Sequence, residues 1–257
     1  MGTIIQTELQ KLKRRKLVWG ILVLTTLIAL FAFERACSIS RKSAIMDSFG
    51  DYYTLAFKML ATIYLPIVLG IFATSLFFDE YKNDTLKSLL IVPISKAQLY
   101  FSKIAAVLFM SPGLCLYTFI LTVFGGVIAG GFPDINGQTV LQAFALFVEG
   151  GILVPLAMLP VIFLAVLGRK DYILPIAATL LYLVPVILIP SYLMGIHPLA
   201  SAINIYRVTS PAAAQMVKNL TQGANITANV TNSLINMILI GCISAALSVI
   251  ALQRQNN

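Results

Sequence analysis

Six apolar runs, each about as long as a bilayer is thick, constrain this chain more than any other feature. A helix needs about 20 consecutive apolar residues to cross the hydrocarbon core. Such runs cover roughly 17–36, 53–78, 103–129, 140–167, 172–194 and 233–252. Several are longer than that, so they tilt or their ends leave the lipid. Of the 257 residues, 59% are hydrophobic and 11% charged, whereas a soluble domain averages about 25% charged. The expected fold is therefore all-α: a single transmembrane domain over 1–257 with six transmembrane helices.

The net charge of +8 does not describe a nucleic-acid binder, because the basic residues sit at the ends of the apolar runs. With the N-terminus inside, the cytoplasmic segments hold Lys11, Lys13, Arg14, Arg15, Lys16, Lys82, Lys87, Lys96, Lys103, Arg169, Lys170 and Arg254. The outer segments hold only Arg35, Arg41, Lys42, Arg207 and Lys218. This asymmetry predicts a multi-pass protein with both termini cytoplasmic.

Residues 3–16 read differently. Ile4, Ile5, Leu9 and Leu12 fall near one helical face, with Gln6, Glu8, Lys11, Lys13 and Arg14 around the rest. That pattern predicts an amphipathic interfacial helix ahead of the first span. The run that follows is too long for a signal-peptide core and ends in Glu34-Arg35 without a small-residue cleavage site, so a retained span is expected. Cys37, Cys115 and Cys242 lie far apart and show no metal-ligand spacing, and no metal site is expected.

Between the last two spans, 195–232 reads as the largest outer loop. It holds three Asn-x-Thr sequons at Asn219, Asn225 and Asn229, which arise easily by chance in so polar a stretch, and a short helix is possible over "SPAAAQMVKNL". Prolines 112, 155, 160, 175, 185 and 190 and three glycine pairs fall in or beside spans three to five. They suit either bent helices along a pathway or close packing.

The stretch "FFDEYKNDTLKSLLIVPISKAQLYFSK", 77–103, stands out by its mixed charge. Its acids come early and its lysines late, as the helix dipole favours. Pro93 biases Val92 away from helix, and Ser95 is placed to cap the next one. Leu86, Leu89 and Leu90 could pack on a protein or on lipid while Asp84 and Lys87 stay wet. The residues alone leave a docking element and an interfacial anchor equally open.

The segment resembles the first cytoplasmic loop of type-2 ABC exporter permeases. Glu80, Thr85, Leu86, Leu89, Leu90, Pro93, Ile94, Ser95, Lys96 and Lys103 match that loop in order and spacing, over about 25 residues. Asp84 stands where the family usually has glycine, a departure just before Thr85. The resemblance implies a coupling helix over roughly 79–95 that rests on a separate ATPase subunit. Asp79, Glu80, Tyr81, Asp84, Thr85, Leu86, Leu89, Leu90, Pro93, Ser95 and Lys96 would then carry the ATPase coupling. It further implies a second permease copy, a bacterial cell membrane as location, and a hydrophobic cargo such as an antimicrobial peptide. No cofactor would bind this chain, with ATP and magnesium on the partner. In keeping with that, no G-x-x-x-x-G-K-[ST] loop occurs in the sequence.

Two charges interrupt the spans. Glu149 lies ~13 Å and Lys58 ~8 Å from the outer ends of their runs, at ~1.5 Å per residue. An acid in mid-span is costly and marks a candidate functional site. The two depths allow an ion pair or a shared wet cavity, so both are candidates for a translocation pathway. Snorkelling of Lys58 and a structural hydrogen bond or protonated acid at Glu149 are the plain alternatives. Other function classes remain open: an ion-driven carrier with Glu149 moving the proton, a membrane scaffold, or an intramembrane enzyme. The last is poorly supported, since the single histidine, His197, falls in an outer loop and no nucleophile motif accompanies it.

Overall fold

The computed structural model describes residues 6–8, 10–11, 15–40, 48–82, 96–130, 132–168, 172–210, 212 and 229–254. Among them the regular elements are helices: α1 Lys16–Ser40, α2 Phe49–Met59, α3 Leu65–Lys82, α4 Lys96–Ala129, α5 Gly137–Ala157, α6 Leu159–Leu167, α7 Ile173–Leu188, α8 Pro190–Leu193, α9 Pro198–Thr209 and α10 Val230–Arg254. A π-turn, Leu60–Tyr64, joins α2 to α3.

Among the described residues five stretches are long and apolar enough to cross a bilayer: Lys16–Ile39, Phe49–Phe78, Ala97–Ala129, Gly137–Leu167 and Val230–Arg254. The expected sixth is shorter than its apolar run. Helix α7 has 16 residues, or ~24 Å, against ~30 Å of hydrocarbon. Pro190 accounts for this. The residue before a proline avoids the helical region, and Ile189 turns to φ −134°, ψ 53°. Among the described residues, then, five of the six expected spans are full length and the fifth in chain order is this shortened apolar helix.

The second span, α2 through α3, is the centre of the fold. Its apolar window is 78% buried, against 22% for the first and last spans. Helices α1, α4, α6 and α7 pack around it, α5 lies along α4, and α10 lies against α6 and α9. The span starts where it does because its first amides are held. Ser48 caps it through Asp51, and the Asp134 carboxylate on the α4–α5 hairpin accepts from Phe49 N at 2.6 Å and Gly50 N at 3.3 Å. These are the orphan donors of a helix N-terminus.

At the π-turn the Tyr64 hydroxyl ties the second span to α1: it donates to the Ile21 carbonyl at 2.6 Å and lies 2.9 Å from the Thr25 hydroxyl. The fourth span breaks at Met158, φ −89°, ψ 0°, because Pro160 has no N–H and its ring opposes a continuous helix. The Tyr182 hydroxyl of α7 takes up the Ala157 carbonyl there at 2.7 Å. That bond follows the rule that backbone groups in lipid must find partners.

Two local expectations change. The 195–232 segment is not all loop: 198–209 is a helix whose Pro198, Leu199, Ala200, Ser201, Ala202, Asn204, Ile205 and Tyr206 are buried. The proposed helix "SPAAAQMVKNL" and the sequons at Asn219 and Asn225 lie largely or wholly outside the described residues. Near the N-terminus, residues 6–8 and 10–11 are helical. Glu8, expected on the wet side, is buried and paired with Lys11 at 2.6 Å.

Candidate functional site

The residues of interest fall in two separate places. Asp79, Glu80 and Tyr81 lie in the last turn of α3 and Lys96 opens α4. Asp84, Thr85, Leu86, Leu89, Leu90, Pro93 and Ser95 lie outside the described residues. Lys103, counted by sequence with the cytoplasmic charges, sits seven residues inside α4 and is 1% exposed.

Midway along the fourth span, Glu149 of α5 meets α9. Its Oε2 accepts the Thr209 hydroxyl at 2.7 Å. Tyr206, one turn earlier on α9, packs edge-on to Phe57 of α2, with ring centroids 5.0 Å apart. Phe57 in turn lies against Gly150, the neighbour of Glu149, and against the Phe147 ring at 5.3 Å. The three helices therefore converge on one buried aromatic contact, with the carboxylate at its edge.

Lys58 does not join this group. It is the neighbour of Phe57 but projects from α2 as an exposed side chain. No ion pair joins it to Glu149 among the described residues, so the pairing raised by their similar depths does not form within the chain. The carboxylate's partner is a hydroxyl, not a cation. Thr209 and Tyr206 were not singled out in sequence, because they fall in a stretch too polar to read as part of the bundle.

The other end of α9 is held by His197. Its Nδ1 accepts from Leu199 N at 3.3 Å, and its ring lies 4.2 Å from the Tyr182 ring. An accepting Nδ1 requires the neutral ring with its proton on Nε2. Burial pushes the imidazole down to about 4, partly offset by a hydrogen bond at Tyr182. The unfolded chain titrates near ~6.5. Between those values the unfolded state binds a proton that the folded state refuses. Stability is thus full above ~6.5, falls as pH drops toward about 4, and levels off below it. With the half-buried ring partly screened by solvent, the expected loss is about 1–2 kcal/mol. His197→Asn, which keeps an accepting cap, should flatten that slope in thermal unfolding between pH ~7 and ~4. An unchanged slope would place the titration elsewhere.

Among the described residues no group of His, Cys, Asp and Glu is disposed to hold a metal ion. The described site is a junction of helices with one carboxylate, and it offers packing and a hydrogen bond, not a nucleophile.

Comparison with known proteins supplies the family. The profile described as "ABC-2 family transporter protein" matches residues 4–186. That match includes the 77–103 segment, Lys58 and Glu149. A protein of Bacillus licheniformis named "Bacitracin transport permease protein BCRB" is 32% identical over 112 residues. The match takes in 44% of this chain and 53% of that protein, so it spans about half the relative's length. A profile match over most of the chain, on a bundle of bilayer-length apolar helices, fixes the assignment: this multi-pass membrane protein belongs to the ABC-2 family of transporter proteins.

Proposed function

We propose that the chain is the membrane-spanning permease subunit of an ATP-driven exporter that moves amphipathic peptides of the antimicrobial kind out of the cell. Two permease copies would work with two copies of a separate ATPase. The single observation that carries this reading is the family match over 4–186. The relative named a bacitracin transport permease points to peptide cargo. The absence of a P-loop in the sequence agrees with hydrolysis on another chain. The segment 79–95 would dock on that ATPase and pass its closure to α3 and α4.

The test is a pull-down of the tagged chain from mild detergent, followed by an ATPase assay of what comes with it. A bound ATPase is the expected result, with at least ~10-fold less recovered for Glu80→Ala/Leu89→Ala, a loss of ~1.4 kcal/mol or more in binding. Recovery of a monodisperse permease with no ATPase would overturn the proposal and favour ion-driven transport with Glu149 carrying the proton.

A further inference from the structure

Two long basic side chains from different parts of the sequence end on consecutive residues of α3. Arg15, just ahead of α1, donates from Nη1 to the Ser75 hydroxyl at 3.0 Å. Lys103 of α4 donates from Nζ to the carbonyl of the next residue, Leu76, and its ammonium lies 5.3 Å from the centre of the Phe77 ring. One turn before Lys103, the Tyr100 ring packs on the same Phe77 ring at 6.2 Å. Ser75, Leu76, Phe77, Tyr100 and Lys103 are all buried.

The depths agree. Leu76 lies six residues before the end of α3 and Lys103 seven after the start of α4, or ~9–10 Å from each inner end. The ends of these helices, Lys82 and Lys96, bracket the 83–95 segment. Arg15 also connects directly into α1, since its carbonyl accepts from Val18 N at 3.1 Å. Three helices are thus tied at one level: α1 to α3 through Arg15, and α4 to α3 through Lys103.

Burying an ammonium is expensive, and an apolar side chain of similar volume is often neutral or stabilising in its place. A lysine here therefore has its strongest physical rationale in geometry. Its reach fixes the separation and register of α3 and α4 in a way that a methionine, which makes no directional bond, cannot.

We propose that Arg15 and Lys103 form a brace that holds α1, α3 and α4 as one body at the inner end, so that a push on 83–95 moves three helices together. The role in transmitting ATPase closure rests on the function proposed above; the brace itself does not. Arg15 and Lys103 are positioning residues, acting through helix placement.

The experiment is hydrogen–deuterium exchange on the full chain in lipid nanodiscs, read by peptide. Lys103→Met should stay folded, with exchange over 76–82 and 97–103 about 10-fold faster and exchange over 49–59 unchanged. Lys103→Arg, which keeps a donor of similar reach, should restore exchange to within about twofold of the parent. Ser75→Ala removes the hydroxyl that accepts from Arg15. It should speed exchange in 16–22 about 10-fold and spare 97–103, and it carries the test if Lys103→Met fails to fold. A change below about twofold in both variants, or an equal rise over 49–59, would overturn the brace. Because exchange is read on this chain alone, failure to find an ATPase partner would sink the preceding proposal and leave this outcome distinct.

Discussion

Replacing Gly150 with alanine is expected to cost about 2 kcal/mol of stability, although alanine is the better helix former. Helix propensity favours the change by ~1 kcal/mol. Against it, the new Cβ would stand 2.4 Å from both Cε2 and Cζ of Phe57. That ring is 2% exposed and wedged edge-on between Phe147 and Tyr206, so it has nowhere to swing. Overpacking of this kind costs ~1–3 kcal/mol or more, and the clash wins. Phe57→Leu alone should also destabilise. Combined with Gly150→Ala it should be less harmful than the two single effects predict, because the smaller side chain vacates the contested space. Thermal unfolding of the four proteins in one detergent decides the matter. A Gly150→Ala protein as stable as the parent would mean that α2 and α5 can separate at this point.

The second large effect concerns chemistry and rests on the proposed function. Glu149→Gln should reduce transport about 10-fold, ~1.4 kcal/mol in the barrier, while expression and thermal stability stay near the parent. The substitution is nearly isosteric, and the amide oxygen can still accept the Thr209 hydroxyl that Oε2 accepts now at 2.7 Å. Only the ability to carry charge is lost. Transport by the complex in proteoliposomes is the measurement, with Thr209→Val as a companion that breaks the hydrogen bond but keeps the carboxylate. Full transport by Glu149→Gln would reduce the acid to a packing residue. A loss in Thr209→Val alone would assign the effect to α9 and not to the charge.

Much of the architecture was legible because lipid leaves few choices. A long apolar stretch must be helical there, and the five full-length spans follow from that. The shortening of α7 was legible in principle from Pro190, since its effect on the preceding residue is local and steric. What escaped was α9. Its sequence, "PLASAINIYRVT", mixes Ser, Asn and Arg with apolar residues and reads as loop. Those polar groups are tolerable in the interior because partners outside the helix await them. Asn204 Nδ2 donates to the Ser233 hydroxyl at 3.1 Å, and the Ser201 hydroxyl accepts from Gly195 N at 3.1 Å. Hydropathy scores a residue without knowing its partner, so such a helix is invisible to it. Lys103 was misplaced for the same reason: its burial depends on a carbonyl 27 residues away. Glu149 stood out as an acid in mid-span, but its partner Thr209 did not.

The burial of α9 also bears on how the protein is made. Its seat is built by α5, synthesised before it, and α10, synthesised after it. When α9 leaves the ribosome, half of its seat does not yet exist. Asn204 must wait for Ser233, which follows 29 residues later. A nascent chain stalled between the two would therefore display Leu199, Ala202 and Ile205, buried in the finished fold, against a seat only half built. Such an intermediate is a natural mark for membrane quality control, and docking of α9 after insertion of the last span is the step that removes it.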